Sequence, residues 1–338
     1  MINRIFYCFL FFSFSLLSQN ISESYYLGFN SFLNEDYVSA RMHFANLIEN
    51  KNNSSNLLIE DAYYYYYLSS LKQYHPETKY LFDKFLISFP FSNKKNNAIF
   101  FMSEYFFEKK KYKEVMELLS TINLYQLNNI NKENAFFYIG YSAYVNGQYT
   151  LAKSSFYELI NSMSSKFLDD AIFYNSIILL KSGNYVDALS GLQSLSESKK
   201  YNKEVPYYIA SIFFELEQYK KASDYLEPLL DSTVCSNYTN LVLLHAKSLY
   251  HLKEYDPAIV YFEEYKGLVD TLNKEQLYQI GFSYYKKSLY GFAINHLNKI
   301  ILSEKDSITQ YAFYYLGDSY RNSGNKIEAM NAFRSASL

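Results

Sequence analysis

One phrase, recurring along the chain, constrains the fold more than any other feature: a Tyr, two residues, an Ala, three residues, then Phe or Leu. It reads Tyr37…Ala40…Phe44, Tyr149…Ala152…Phe156, Tyr185…Ala188…Leu192, Tyr219…Ala222…Leu226, Tyr255…Ala258…Phe262 and Tyr290…Ala293…Leu297. Weaker copies at His75…Thr78…Phe82, Tyr112…Val115…Leu119 and Lys326…Ala329…Phe333 bring the number to nine, with consecutive copies 34 to 38 residues apart. A period in this range marks an array of stacked supersecondary units. Twelve residues before each Ala-type position stands a small residue: Gly28, Ser103, Gly140, Ser176, Ala210, Ala246, Gly281 and Gly317. The second copy alone departs, with Tyr66.

Residues four apart share a helix face, so the Ala and the Phe or Leu point together into a helical hairpin. The small residue lets the first helix approach the second closely, and the larger side chain fills the space beside it. Polar links such as Asn146-Gly147-Gln148 and Lys181-Ser182-Gly183-Asn184 supply the turns. Ten Gly and five Pro in 338 residues suit long helices with short turns, and are too few for a sandwich or barrel. A net charge of −2 argues against nucleic acid, which needs a basic face.

These nine copies resemble the tetratricopeptide repeat (TPR), whose pattern is Trp-x2-Leu-Gly-x2-Tyr, then Ala-x3-Phe, then Pro. Leu27-Gly28, Ile139-Gly140, Ile280-Gly281 and Leu316-Gly317 stand at its Leu-Gly pair, Tyr284 and Tyr320 at its Tyr, and Pro90 closes the second unit. The Trp is absent and the closing Pro mostly missing, so the repeats are degenerate. The resemblance covers residues 22–338 and implies an all-α, right-handed superhelical solenoid of about nine helix-turn-helix hairpins. Its style is that of exported Bacteroidota TPR proteins, with a more distant similarity to TPR lipoproteins of outer-membrane assembly, carried by Phe82 to Pro90.

In that family the first helix of each hairpin lines a groove where partner segments bind. Three residues before the small site stand Tyr25, Phe100, Phe137, Phe173, Tyr207, Tyr278 and Tyr314; four after it stand Tyr144, Phe214, Tyr250 and Tyr285. The two series lie seven residues apart, about two turns, and so share a face. This aromatic stripe has two readings: core packed between neighbouring first helices, or a tyrosine-rich groove whose rings give contact area and a hydroxyl. Clamps that hold a carboxyl terminus use Lys, Asn and Arg at such positions, and Tyr and Phe largely replace them here.

Catalytic chemistry is not expected. The five histidines, His43, His75, His245, His251 and His296, form no His-Glu-x-x-His pair, Cys235 has no CxxC partner, and no Gly-rich phosphate loop occurs. No cofactor or metal is implied.

At the N-terminus, Arg4, the apolar run Ile5 to Leu17 and the small residues that follow have the form of a secretory signal peptide over residues 1–18. The run is short of the roughly 17–25 residues a spanning helix needs. At the other end the ninth copy stops inside its second helix without a polar capping helix. Either the array continues in a longer protein or the exposed end is a docking face. The expected function is a non-enzymatic scaffold for a protein or peptide partner, exported to the periplasm and associated with the cell envelope. The alternatives are a component of outer-membrane protein assembly and the N-terminal part of a sensor whose effector domain lies beyond residue 338.

Overall fold

The computed structural model describes residues 23–49, 56–162, 165–230, 237–300 and 306–337. The residues of the expected signal peptide, and Cys235, lie outside these. Among the described residues there is no strand, and eighteen α-helices follow one another as nine hairpins. They are α1 (residues 23–33), α2 (Tyr37–Glu49), α3 (Asn56–Lys72), α4 (Thr78–Ser88), α5 (Lys95–Glu108), α6 (Tyr112–Leu119), α7 (Asn129–Val145), α8 (Tyr149–Asn161) and α9 (Leu168–Lys181). The second half continues with α10 (Tyr185–Ser194), α11 (Val205–Glu215), α12 (Tyr219–Leu230), α13 (Tyr238–His251), α14 (Tyr255–Leu268), α15 (Lys274–Lys286), α16 (Tyr290–Leu297), α17 (Ser307–Asn322) and α18 (Lys326–Ala336). The chain divides into two compact units, one ending at Ala171 and one beginning at Ile172, with the division inside α9.

The repeated phrase is core in six hairpins without exception, and in the ninth Phe333 is half-buried. Ala40 and Phe44, Ala152 and Phe156, Ala188 and Leu192, Ala222 and Leu226, Ala258 and Phe262, and Ala293 and Leu297 are all fully buried. The small residue ahead of them is there for contact. A Cβ built on Gly140 would lie 2.7 Å from Phe156, one on Gly281 2.8 Å from Leu297, and one on Gly317 2.9 Å from Phe333. The partner is in each case the residue sixteen places on, at the Phe or Leu of the phrase.

Each turn reverses the chain through one left-handed residue: Glu35, Tyr74, Lys110, Gly147, Gly183, Glu217, Lys253, Ser288 and Gly324. Around it the odd-numbered helix ends in paired backbone bonds, as where Gly147 N donates to Tyr144 O (3.1 Å) and Gln148 N to Ala143 O (2.8 Å). This is the usual way to satisfy a helix's last carbonyls.

The second hairpin corrects the sequence register. Tyr74 stands four residues before Thr78, whereas Glu35 stands five before Ala40. The link is one residue shorter, and the small site of α3 falls on Tyr67 instead of Tyr66. Tyr67 is fully buried, its ring lies 5.5 Å from that of Phe82, and its hydroxyl donates to the Ala98 carbonyl at 2.9 Å. Tyr66 is half-buried with the Arg41 guanidinium 5.6 Å over its ring.

Within each unit, odd-numbered helices pack against the next odd-numbered helix: α3 on α5 and α5 on α7 in the first, α11 on α13, α13 on α15 and α15 on α17 in the second. They form one layer in each unit, and the face they present carries the aromatic stripe.

Candidate protein-binding face

The odd-helix face is built from positions three before, one after and four after the small site, an i, i+4, i+7 stripe. The outer two series are visible in the sequence; the middle one, which includes Ser211, Lys247, Phe282 and Asp318, has no common residue type to mark it.

Neighbouring odd helices are joined by phenol hydroxyls and amines donating to carboxylates. Tyr25 donates to Asp61 (3.0 Å), Tyr138 to Glu104 (2.8 Å) and Tyr285 to Asp318 (2.9 Å). Lys94 pairs with Asp61 at 2.7 Å and Lys247 with Glu275 at 2.9 Å. Burial, then the hydrogen bond to a carboxylate, pushes the Tyr285 hydroxyl up to about 12. Tyr25 rises for the same two causes in the same order. Tyr138 rises through burial first and then through the Glu104 charge. All three are donors at any physiological pH.

The sequence-derived candidates do not share one environment. Phe100, 1 % exposed, and Phe173, 7 % exposed, are core and offer a partner nothing. Phe173 is closed over by Tyr201, stacked on it at 4.2 Å, and Phe100 by the ring of Tyr138 at 6.3 Å. Phe137 is half-buried under Phe167, stacked at 4.2 Å. Tyr25 stacks on Phe29 and Tyr144 leans on Tyr149, both half-buried.

In the second unit the stripe is more open. Tyr207, Phe214, Tyr250, Tyr278 and Tyr285 are half-buried and Tyr314 is exposed. Phe282 sits among them, 5.9 Å from Tyr250, 5.8 Å from Tyr278 and 4.7 Å from Tyr315, and Tyr285 lies 4.9 Å from Tyr315. One ring surface therefore runs across α13, α15 and α17.

Beside it, between α11 and α13, is a cleft of about 190 Å³. Tyr207, Ser211, Phe214 and Glu215 of α11 and Asn240, Leu243, Leu244 and Lys247 of α13 line it. Ser211 is kept in place by donating to the Tyr207 carbonyl at 2.8 Å. Leu243 packs against the apolar clusters on both sides, so the cleft and the ring surface are continuous. A 150 Å³ apolar cavity is enough to take a benzene ring. This cleft admits one large apolar side chain, and the Asn240 amide can both donate to and accept from a peptide group.

Three of the five histidines serve packing. His245 is buried edge-on against Tyr261 at 4.4 Å, His251 stacks on Tyr219 at 4.4 Å, and His296 Nδ1 bonds the Phe292 carbonyl at 2.9 Å. Among the described residues no three His, Cys, Asp or Glu side chains are grouped to hold a metal ion, and no helix is long and apolar enough to cross a membrane.

No protein-family model matches the sequence, and no curated protein matches it. Solved structures with related helical folds include a tetratricopeptide repeat protein from Parabacteroides merdae, 14% identical with a TM-score of 0.49, covering 72% of this chain and 92% of that one. YrrB, described as a TPR protein with an unusual peptide-binding site, is 19% identical with a TM-score of 0.46 over 54% of this chain and 90% of its own. MamA from AMB-1 is 14% identical with a TM-score of 0.45 over 51% of this chain and 92% of its own. The described helices, paired as nine hairpins, make the chain an all-α array of TPR-like helical hairpins.

Proposed function

We propose that this protein is a non-enzymatic scaffold that holds a segment of a partner protein against the odd-helix face of its second unit. The observation that carries this is the cleft between α11 and α13, which joins an apolar floor to an amide at its rim and opens onto a half-exposed aromatic surface. Side chains of that kind concentrate binding energy, because a ring gives a large contact area with few rotors to order. The form of residues 1–18 supports export, so the partner is sought in the periplasm or cell envelope, with the outer-membrane assembly machinery among the candidates.

The test is a random-peptide display selection on the purified protein, repeated with Ser211→Arg. Ser211 is half-buried at the cleft wall, and a long charged side chain there fills the cleft without entering the core. Selected peptides should lose binding to the variant while its thermal unfolding is unchanged. Peptides that bind the folded variant equally well would refute the assignment.

A further inference from the structure

The open tyrosines of the second unit differ from the others in one respect. Tyr207, Tyr250, Tyr278, Tyr314 and Tyr315 make no hydrogen bond through their hydroxyls among the described residues, yet none of those oxygens is sealed from solvent. The carboxylates beside them are already engaged. Glu275 accepts from Lys247 and Gln279, and Asp318 from Tyr285, Asn322 and Arg321. Glu215, exposed at the rim, is the one carboxylate among the residues that line the cleft. The face is thus paved with rings and carries unpaired phenol hydroxyls, each able to donate one hydrogen bond and to accept others.

From this we infer that the second unit binds a proline-rich segment in the polyproline II conformation, lying across α11, α13, α15 and α17. This rests on the reading of the odd-helix face as the partner-binding surface, and it names the chemistry of the partner. A proline-rich chain has carbonyl acceptors with no internal partners, which the unpaired phenol O–H groups can meet. Pyrrolidine rings dock on aromatic grooves with little entropy to lose, since the chain is already extended. The periods also agree. Polyproline II turns every three residues at about 3.1 Å each, so it presents the same edge every ~9 Å. Helices in direct contact lie about 8–10 Å apart, and these odd helices are in contact. One turn of the ligand falls on each helix, and four helices span about nine residues.

The probe is a fluorescein-labelled peptide of ten prolines, read by anisotropy against the whole chain. Its controls are a ten-residue Gly–Ser peptide, a ten-residue Ala–Gln peptide and a labelled maltoheptaose. The proline peptide should bind tightest. Tyr250→Phe and Tyr278→Phe, which keep the rings and remove the donors, should each weaken it by about 2- to 10-fold, the worth of one hydrogen bond, with thermal unfolding unchanged. Equal or tighter binding of any control, or a Tyr250→Phe/Tyr278→Phe double variant with unaltered affinity, overturns the proposal. Peptides from the display selection that lack proline but remain sensitive to Ser211→Arg would overturn it while leaving the scaffold reading in place. If neither they nor the proline peptide respond to Ser211→Arg, both readings fall.

Discussion

Substituting Gly140 by Ala tests what the small residue of each repeat is for. The added Cβ would lie 2.7 Å and 2.9 Å from two ring carbons of Phe156, and that ring is fully buried. Carbon atoms pack at about 3.5–4.0 Å, so the ring must retreat by roughly 0.8 Å inside a closed core. Overpacking of this kind costs about 1–3 kcal/mol. In a helix interior Ala is favoured over Gly by up to ~1 kcal/mol, which offsets part of that. Gly267 near the end of α14 supplies the control, because a Cβ there meets nothing within 4 Å. Gly267→Ala should be neutral or stabilising by up to ~1 kcal/mol, so the difference between the two variants isolates the steric term at about 1–3 kcal/mol. A repeat array does not unfold as one two-state unit. The assay is therefore hydrogen exchange resolved by peptide, with urea unfolding beside it. Faster exchange in α7 and α8 of Gly140→Ala, with α17 and α18 unchanged, is the expected result, and Gly140→Ala/Phe156→Leu should recover part of the loss. If Gly140→Ala gains protection as Gly267→Ala does, close approach is not the reason for the small residue.

Three further outcomes follow from the packing. Tyr67→Ser places the residue type of other hairpins at the small site of α3, yet it should destabilise by about 3–5 kcal/mol, because Phe82 and Ala98 are arranged around a ring and its hydroxyl; a neutral effect on the urea midpoint would refute the corrected register. Lys253→Gly relieves a left-handed non-glycine turn (φ 63°) and should stabilise by about 1 kcal/mol, measured by thermal unfolding. His245 is buried neutral, and burial lowers its pKa to about 4. Its folded value lies below the unfolded one, so its contribution is complete above about pH 6.5 and is lost as pH falls toward 4. The loss is at most roughly 3 kcal/mol. His245→Leu should flatten the pH dependence of the urea midpoint across that window, and an unchanged slope would exclude His245 as its source.

The fold was legible in the sequence because its determinants are local. Ala152 and Phe156 are four residues apart on one helix, and Gly140 meets Phe156 across a turn of fixed length. Where the turn length changed the register failed, as at Tyr66 and Tyr67: a shorter link rotates the site by one residue, about 100° around the helix. The binding face was half legible for a different reason. Helical period says which way a side chain points and nothing about what lies over it. Phe137 and Phe173 hold the same repeat position as Tyr207, yet Phe167 covers the first and Tyr201 the second. Both covering rings come from the segments that precede the next odd helix, 30 and 28 residues downstream. Leu243, at the same position in α13, has Val269 to Asn273 as the corresponding segment, which carries no aromatic residue, and it lines the open cleft. The period of the helices therefore sets the face, and the composition of the links decides whether a given aromatic on that face becomes core or stays available to a partner.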